Sequence, residues 1–409
     1  MTAWLTVILI SLSALALAAF GGYRLARRRM RRVVEESGDR AAELITMWRR
    51  NETVAGAYSL AAPTLALDRP AAMLAGVENC YYTPPDFEHV TWVPRDIPTP
   101  FVGFAPAPGR LASAVINAAQ FRYARELDAQ KSQGVCRIFL TGASAAFGCG
   151  ASSNETTIGG YLEKHLNEAL GDHRRCEVVT AAACAWTTAH ERILIENRLA
   201  ELEPDIVISF SGFNDAFWSI SGRNTHWLRV FQDEYFLTLA NAALAANAAP
   251  AFPPSDADTD GPVSLAHATE RLVRNVALAR HALAAVGAEY VFALQPTMET
   301  SRKVLTAREQ AVAARVASDA WFKQAPSFYQ EFRKRLHAIE QPGFRFIDTT
   351  GVFDACGNGV DIFIDTCHFG DRGNDLIARL LNRCILPMVR ERFGDAVPQA
   401  ARSAGYHSG

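Results

Sequence analysis

From residue 136 onward, short apolar runs rich in β-branched and aromatic residues alternate with stretches of helical length. The runs fall at 136–140, 176–180, 205–210, 290–294 and 344–347. Helices are expected at 158–170, 188–202, 265–286, 307–337 and 371–393. Buried runs bounded by helices predict parallel strands joined by crossovers, hence a layered α/β domain. In such sheets, functional groups collect where the carboxyl ends of the strands meet the loops. One interval, residues 216–262, breaks the rhythm: an aromatic stretch "FWSISGRNTHWLRVF" is followed by "TLANAALAANAAPAF" and "PPSDADTDGP". Its last part reads as a surface loop. Its first part follows a strand end and reads either as a pocket wall or lid, or as a helix capping the sheet.

The 409 residues suffice for one large catalytic domain with accessories, or for two modest domains. A formal net charge of −2 gives no electrostatic case for nucleic acid as a partner. The charge is unevenly placed, with Arg24, Arg27, Arg28, Arg29, Arg31 and Arg32 crowding one segment. They follow an uncharged run over residues 3–20, close to the ~20 residues that cross a bilayer core. A cleaved signal peptide is the alternative, with Ala16-Leu17-Ala18 as a small-x-small site. Met1-Thr2 carries no basic side chain and the positive charge lies after the run, the reverse of a signal peptide. An uncleaved transmembrane anchor over 1–23 is therefore expected. The arginines place the remainder on the cytoplasmic side; a periplasmic placement is the alternative, since cell-envelope sugars would suit it. The eight cysteines form no CxxC pair and no zinc spacing.

Residues 24–130 read as a basic juxtamembrane helix and a proline- and aromatic-rich arm. Nine prolines between Pro63 and Pro108 exclude a regular sheet interior. Tyr81, Tyr82, Phe87, Trp92, Phe101 and Phe104 are expected to pin such an arm to a domain surface, a free linker being the alternative. The main domain is expected over 131–395, with the insertion at about 216–262 and a tail at 396–409.

Four strand ends carry candidate chemistry. The first is "RIFLTGASAAFGCG". It lacks the lysine of a P-loop and the third glycine of a dinucleotide fingerprint, and Ala146 stands where a GxSxG elbow has glycine. Ser144 needs a base held by an acid to act as a nucleophile. Asp365 and His368 in "DTCHFGDRGNDLIARLL" offer such a pair, the three-residue spacing letting the carboxylate reach Nδ1. In "VISFSGFNDAF", Asn214 can aim its amide at a developing oxyanion, or Gly212-Phe213-Asn214-Asp215 is a plain turn. In "EVVTAAACAWTTAHE", small residues let a backbone N–H approach a substrate, with Ala182 the candidate donor. Cys149, Cys184 and Cys367 sit in the same loops; they read as buried fillers, with a thiol nucleophile as the alternative. "DACGNGVD" lacks the closing glutamate of a calcium loop and reads as a turn.

Taken together and in this order, these segments resemble the SGNH hydrolases, also called the GDSL esterase/lipase family. The resemblance rests on Ser144, Gly212-Phe213-Asn214-Asp215 and Asp365-Thr366-Cys367-His368, and covers about residues 134 to 393. The segment "VINAAQFRYARELDAQKSQGVCRIF" is similar to the lead-in of bacterial members with an N-terminal membrane anchor. The resemblance implies a flavodoxin-like three-layer α/β/α sandwich with a five-stranded parallel sheet, here preceded by a transmembrane helix. It implies a serine esterase with Ser144 as nucleophile, His368 as general base and Asp365 as orienting acid. It implies an oxyanion hole from Ser144 N–H, Ala182 N–H and the Asn214 side chain, with Gly212 and Asp215 contributing to substrate binding. No metal or organic cofactor is implied. The partner would be an acyl ester, an acylated sugar being one candidate, with water or a sugar hydroxyl as acyl acceptor. Ala143 replaces the usual acidic residue before the serine, and Ala182 aligns with a family glycine. Alanine keeps the N–H but takes positive φ only at a cost. That substitution supports the alternative of a non-catalytic, membrane-tethered binding module. The small residues around Ser144 are expected to make room for the acyl group.

Overall fold

The computed structural model describes Arg24, residues 96–111, 113–171 and 175–222, Leu244, and residues 263–393. The chain divides into two compact units. Of one, residues 1–54 with 234–255, only Arg24 and Leu244 are described. The other, residues 55–233 with 256–409, holds the sheet and the candidate site. The expected anchor, the arm before residue 96 and most of the 216–262 insertion lie outside the described residues. Among the described residues no helix is long and apolar enough to cross a membrane.

The described arm forms two antiparallel ribbons, β1 (Asp96–Thr99) with β2 (Gly103–Pro106) and β3 (Gly109–Leu111) with β4 (Ala114–Ile116). Phe104 is fully buried, whereas Phe101, expected to pin the arm, is 77% exposed at a ribbon tip with φ 67°.

The five apolar runs become β5 (Val135–Gly142), β6 (Arg175–Ala182), β7 (Ile206–Ser211), β8 (Glu289–Leu294) and β9 (Phe344–Asp348). They form one parallel sheet in the order β6-β5-β7-β8-β9. The strand order reverses between β5 and β7, which sets a crevice beyond their carboxyl ends. Ile138, Phe139 and Leu140 are fully buried, so both faces of β5 are covered, as an uninterrupted apolar strand requires.

The crossover helices are α1 (Ser144–Phe147), α2 (Ile158–Leu170), α3 (Thr188–Asn197), α4 (Phe213–Ile220) and α5 (Leu265–Ala285), then α6 (Ala307–Val316), α7 (Ala320–His337) and α8 (Asp371–Phe393). α2 packs with α8, where His165 Nε2 meets Asp375 Oδ1 at 2.6 Å. α3 and α7 pack on α5. The single helix expected over 307–337 is two, because Asp319 takes an extended conformation and starts α7 anew. The helix expected to 202 ends at Asn197 and continues as one 3-10 turn, Leu199–Leu202.

β6 is an edge strand, and its outward backbone groups are covered by its own neighbours. Asn167 on α2 exchanges hydrogen bonds with both Cys176 N–H and C=O, Glu163 accepts from Val178 N–H, and Arg122 N–H donates to Thr180 O. Arg122, assigned from the sequence to the arm, thus bridges this sheet edge to β4 through Thr180 and Ile116.

Candidate active site

β5 ends at Gly142, and α1 begins two residues later with Ser144. The turn is built from small residues because space is short. A Cβ on Gly142 (φ 148°) would lie 2.3 Å from Phe210 O and 2.7 Å from the Ala146 Cβ. At Gly142 the small residue therefore admits the protein's own backbone. Gly148, left-handed at φ 88°, ends the short helix, and Ser144 O accepts from Gly148 N–H at 3.0 Å and Cys149 N–H at 2.9 Å. Ser144 is buried, 4% exposed.

The loop between β9 and α8 carries the partners. Asp365 Oδ1 accepts from the backbone N–H of Cys367 at 2.8 Å and of His368 at 2.7 Å, which folds the four residues into a tight turn. Its Oδ2 lies 2.7 Å from His368 Nδ1. A carboxylate there fixes the proton on Nδ1 and leaves Nε2 as acceptor. His368 Nε2 is 2.7 Å from Ser144 Oγ, across 224 residues of chain. The turn is held from behind: Arg308 donates to Phe363 O and Ile364 O, and Gln295 donates to Cys367 O.

The electrostatics of the pair follow from burial and proximity. Burial by itself lowers the His368 pKa, but Asp365, through charge and hydrogen bond, outweighs it and the net shift is upward. For Asp365 burial raises the pKa, and His368 with the two backbone N–H donors reverses this to a net lowering. A strand-end hydroxyl, an imidazole with a free lone pair and an ionised carboxylate in one chain of hydrogen bonds can deprotonate the hydroxyl as it attacks a carbonyl.

Asn214, on the first turn of α4, is buried and donates one amide hydrogen to Trp186 O at 2.8 Å. An amide nitrogen has two hydrogens, so a second remains for a ligand. Of the residues expected at the substrate, Asp215 is engaged elsewhere, and Gly212 is glycine for packing. Leu294 Cδ1 occupies the space a Gly212 side chain would take, at 2.6 Å. Both Asp215 oxygens are bonded to Thr188, one to its N–H at 3.1 Å and one to its hydroxyl at 2.5 Å. Asp215 therefore caps α3, and burial raises its pKa.

Ala182 also needs correction. Ala183 N–H donates to Gly142 O, and in a parallel ladder successive residues face opposite sides. The N–H of Ala182 therefore points with those of Cys176 and Val178 to the outer edge, away from β5. Three residues on, Ala185 is buried and left-handed, with φ 65°. It lies in the turn whose Trp186 carbonyl binds Asn214. A non-glycine residue held there is uncommon and costs of order 1 kcal/mol or more. Nothing in the residue type announces it; the signal would have been the small-residue run continuing past the strand end.

The three cysteines lie close by. Cys149 Sγ and Cys184 Sγ are 3.4 Å apart, and Cys367 Sγ is 3.4 Å from His368 Nδ1. Burial pushes the Cys367 thiol well up, and the basic lone pair of Nε2 faces Ser144 and not a thiol. Asp365, Cys367 and His368 each present a ligand atom within 4.8 Å, close enough for a metal ion. The hydrogen bonds of the Asp365 turn already account for that clustering.

No family model matches the chain, and no curated protein matches it. Solved structures do. TesA is 14% identical over 62% of this chain and 99% of its own, with TM-score 0.38. A catalytic mutant of an acetylxylan esterase from Geobacillus stearothermophilus is 14% identical over 60% of this chain and 92% of its own, with TM-score 0.37. The acetyl xylan esterase AlAXEase is 14% identical over 61% and 99%, with TM-score 0.36.

Proposed function

We propose that the protein is a serine esterase of the SGNH class, tethered to a membrane by residues 1–23. One observation carries the reading: the unbroken line Ser144 Oγ, His368 Nε2, His368 Nδ1, Asp365 Oδ2, with both contacts at 2.7 Å. Ser144 Oγ attacks an ester carbonyl while His368 Nε2 takes its proton. The tetrahedral oxyanion is received by the N–H of Ser144, the N–H of Ala185 in place of that of Ala182, and the second amide hydrogen of Asn214. The imidazolium then protonates the departing alkoxide and leaves an acyl-serine. Water, or a sugar hydroxyl in a transferase variant, loses its proton to His368, attacks the acyl group and regenerates the serine. These steps balance without a cofactor. An O-acetylated sugar is the first substrate to assay.

The non-catalytic reading rested on alanine at position 182. That N–H faces the sheet edge, so the alanine does not impair a hole built around Ala185. The test compares wild type with Ser144→Ala on short-chain aryl esters and on labelling by a fluorophosphonate. Wild type is expected to turn over and label, and Ser144→Ala to do neither. Equal inertness of the two would remove the esterase reading.

A further inference from the structure

Arg122 belongs to the lead-in segment, yet it is only 2% exposed. Its guanidinium is surrounded by neutral acceptors, from the loop that follows Ser144 and from Ser113 of the arm. Nη1 donates to Gly148 O at 2.7 Å and Phe147 O at 3.2 Å, and Nε to Asn154 Oδ1 at 3.1 Å. Nη2 donates to Ser153 O at 3.2 Å and, at 3.4 Å, to both Ser113 O and Ser113 Oγ. The group also lies 5.0 Å over the Phe147 ring. Burial lowers its pKa to about 10, so it stays cationic at neutral pH. Sinking a cation among neutral dipoles is costly, and an apolar side chain would fill the same volume without that cost.

The geometry says where that cost is directed. The Phe147 and Gly148 carbonyls close the single turn of α1 whose first residue is Ser144, and Gly148 N–H is bonded back to Ser144 O. Glycine at 148 is what admits the cation: a Cβ there would sit 3.2 Å from Arg122 Nη1 and 2.6 Å from Thr157 Cγ2. The same loop is held at Ser152 by Asp371, which accepts from its N–H at 3.0 Å and its hydroxyl at 2.5 Å. Asp371 begins α8, three residues after His368. Arg122 thus holds the loop on both sides of Ser152, at Phe147–Gly148 and at Ser153–Asn154, while Asp371 ties Ser152 to the base's helix.

We propose that Arg122 is a positioning residue that sets the distance between Ser144 Oγ and His368 Nε2 by holding the Phe147 and Gly148 carbonyls. The proposal deepens the esterase reading and rests on it. Loss of the guanidinium removes the side-chain donor of the Phe147 carbonyl and leaves the Gly148 carbonyl with Ala151 N–H alone, which lets the turn relax and slows the chemical step while leaving substrate binding nearly unchanged.

The test uses the full chain with Arg122→Ala and Arg122→Lys. For Arg122→Ala, kcat is expected to fall about 100-fold, the scale of a ~1 Å misplacement, with KM changed little. Added guanidinium ion should restore activity to Arg122→Ala where equal sodium chloride does not. Arg122→Lys should recover only part, because one ammonium cannot serve Nη1, Nη2 and Nε acceptors together. The His368 imidazole titration, followed by NMR, should move in Arg122→Ala in the same direction as in Ser144→Ala. Unchanged kcat, or a fall that tracks the unfolded fraction without guanidinium rescue, would overturn the proposal. If wild type neither turns over nor labels, the esterase reading fails alone, and the His368 titration still decides whether Arg122 sets the contact.

Discussion

His368 is governed by two opposed influences, and their balance predicts a pH profile. Burial favours the neutral ring, and Asp365 favours the cation and wins, so the pKa lies above 6.5. The ring works as a base only when neutral. kcat/KM is therefore expected to fall as pH drops through a pKa above 6.5, and to show no loss from this group on the alkaline side. Asp365→Asn removes the main raising influence and leaves burial opposed only by Cys149, so the acid limb should move to lower pH while the plateau drops. A flat wild-type profile from pH 5 to 8 would remove His368 from the role. Ser144, Asp365, His368 and Asn214 were legible because hydroxyl, carboxylate, imidazole and amide are chemically marked types at strand ends. Ala185 was not, because a left-handed backbone leaves no mark in an alanine, and the run 181–183 offered equivalent positions nearer the strand. Asp215 misled for a related reason: a carboxylate beside Asn214 looks the same whether it faces a ligand or caps α3.

At the level of elements, α3 lies on the sheet with an acid turned inward. Glu191 is 1% exposed, and burial pushes its carboxyl from 4.5 to about 7, only partly relieved by the Ser211 and Ser209 hydroxyls of β7. The folded state thus holds this proton more tightly than the unfolded chain. Stability from that source is complete below about pH 4.5, declines as pH rises, and levels off near 7. Glu191→Gln removes the decline, so urea unfolding should show it gaining on wild type between pH 5 and pH 8, by on the order of 3 kcal/mol. An equal difference at the two pH values would contradict this. Element existence followed from periodicity, since every expected run formed a strand of the same sheet. Boundaries were less legible where local capping decided them. Asp319 restarts a helix inside an otherwise continuous amphipathic stretch, and Arg198, at φ −141°, ends α3 before its apolar pattern stops.

For the whole molecule, the boundary near 131 separates sequence patterns but not packing. Phe104 O accepts from Trp186 Nε1 at 3.1 Å, in the turn that also binds Asn214. Phe104, Ile116, Phe121 and Arg122 are all buried from the arm side. Each apolar one contributes roughly 1.5–3 kcal/mol by burial. A fragment over 131–395 should therefore lose fluorophosphonate labelling and resist proteolysis poorly, whereas one beginning at residue 95 should keep both. Equal labelling of the two fragments would show the arm to be dispensable. The arm was hard to assign from sequence because its prolines mark it as irregular, while its contacts combine a backbone bridge at a sheet edge with a few scattered buried side chains.

The 224 residues between Ser144 and His368 also impose an order in time. At 5–20 residues per second of synthesis, the hydroxyl leaves the ribosome roughly 10 to 45 s before its base. During that interval the serine is an ordinary alcohol, unable to capture acyl groups from metabolites around the nascent chain. On the proposed esterase reading, reactivity arrives only when β9 has docked and α8 has formed behind its loop, so the first burst of labelling in a synchronised translation reaction should date the completion of the fold.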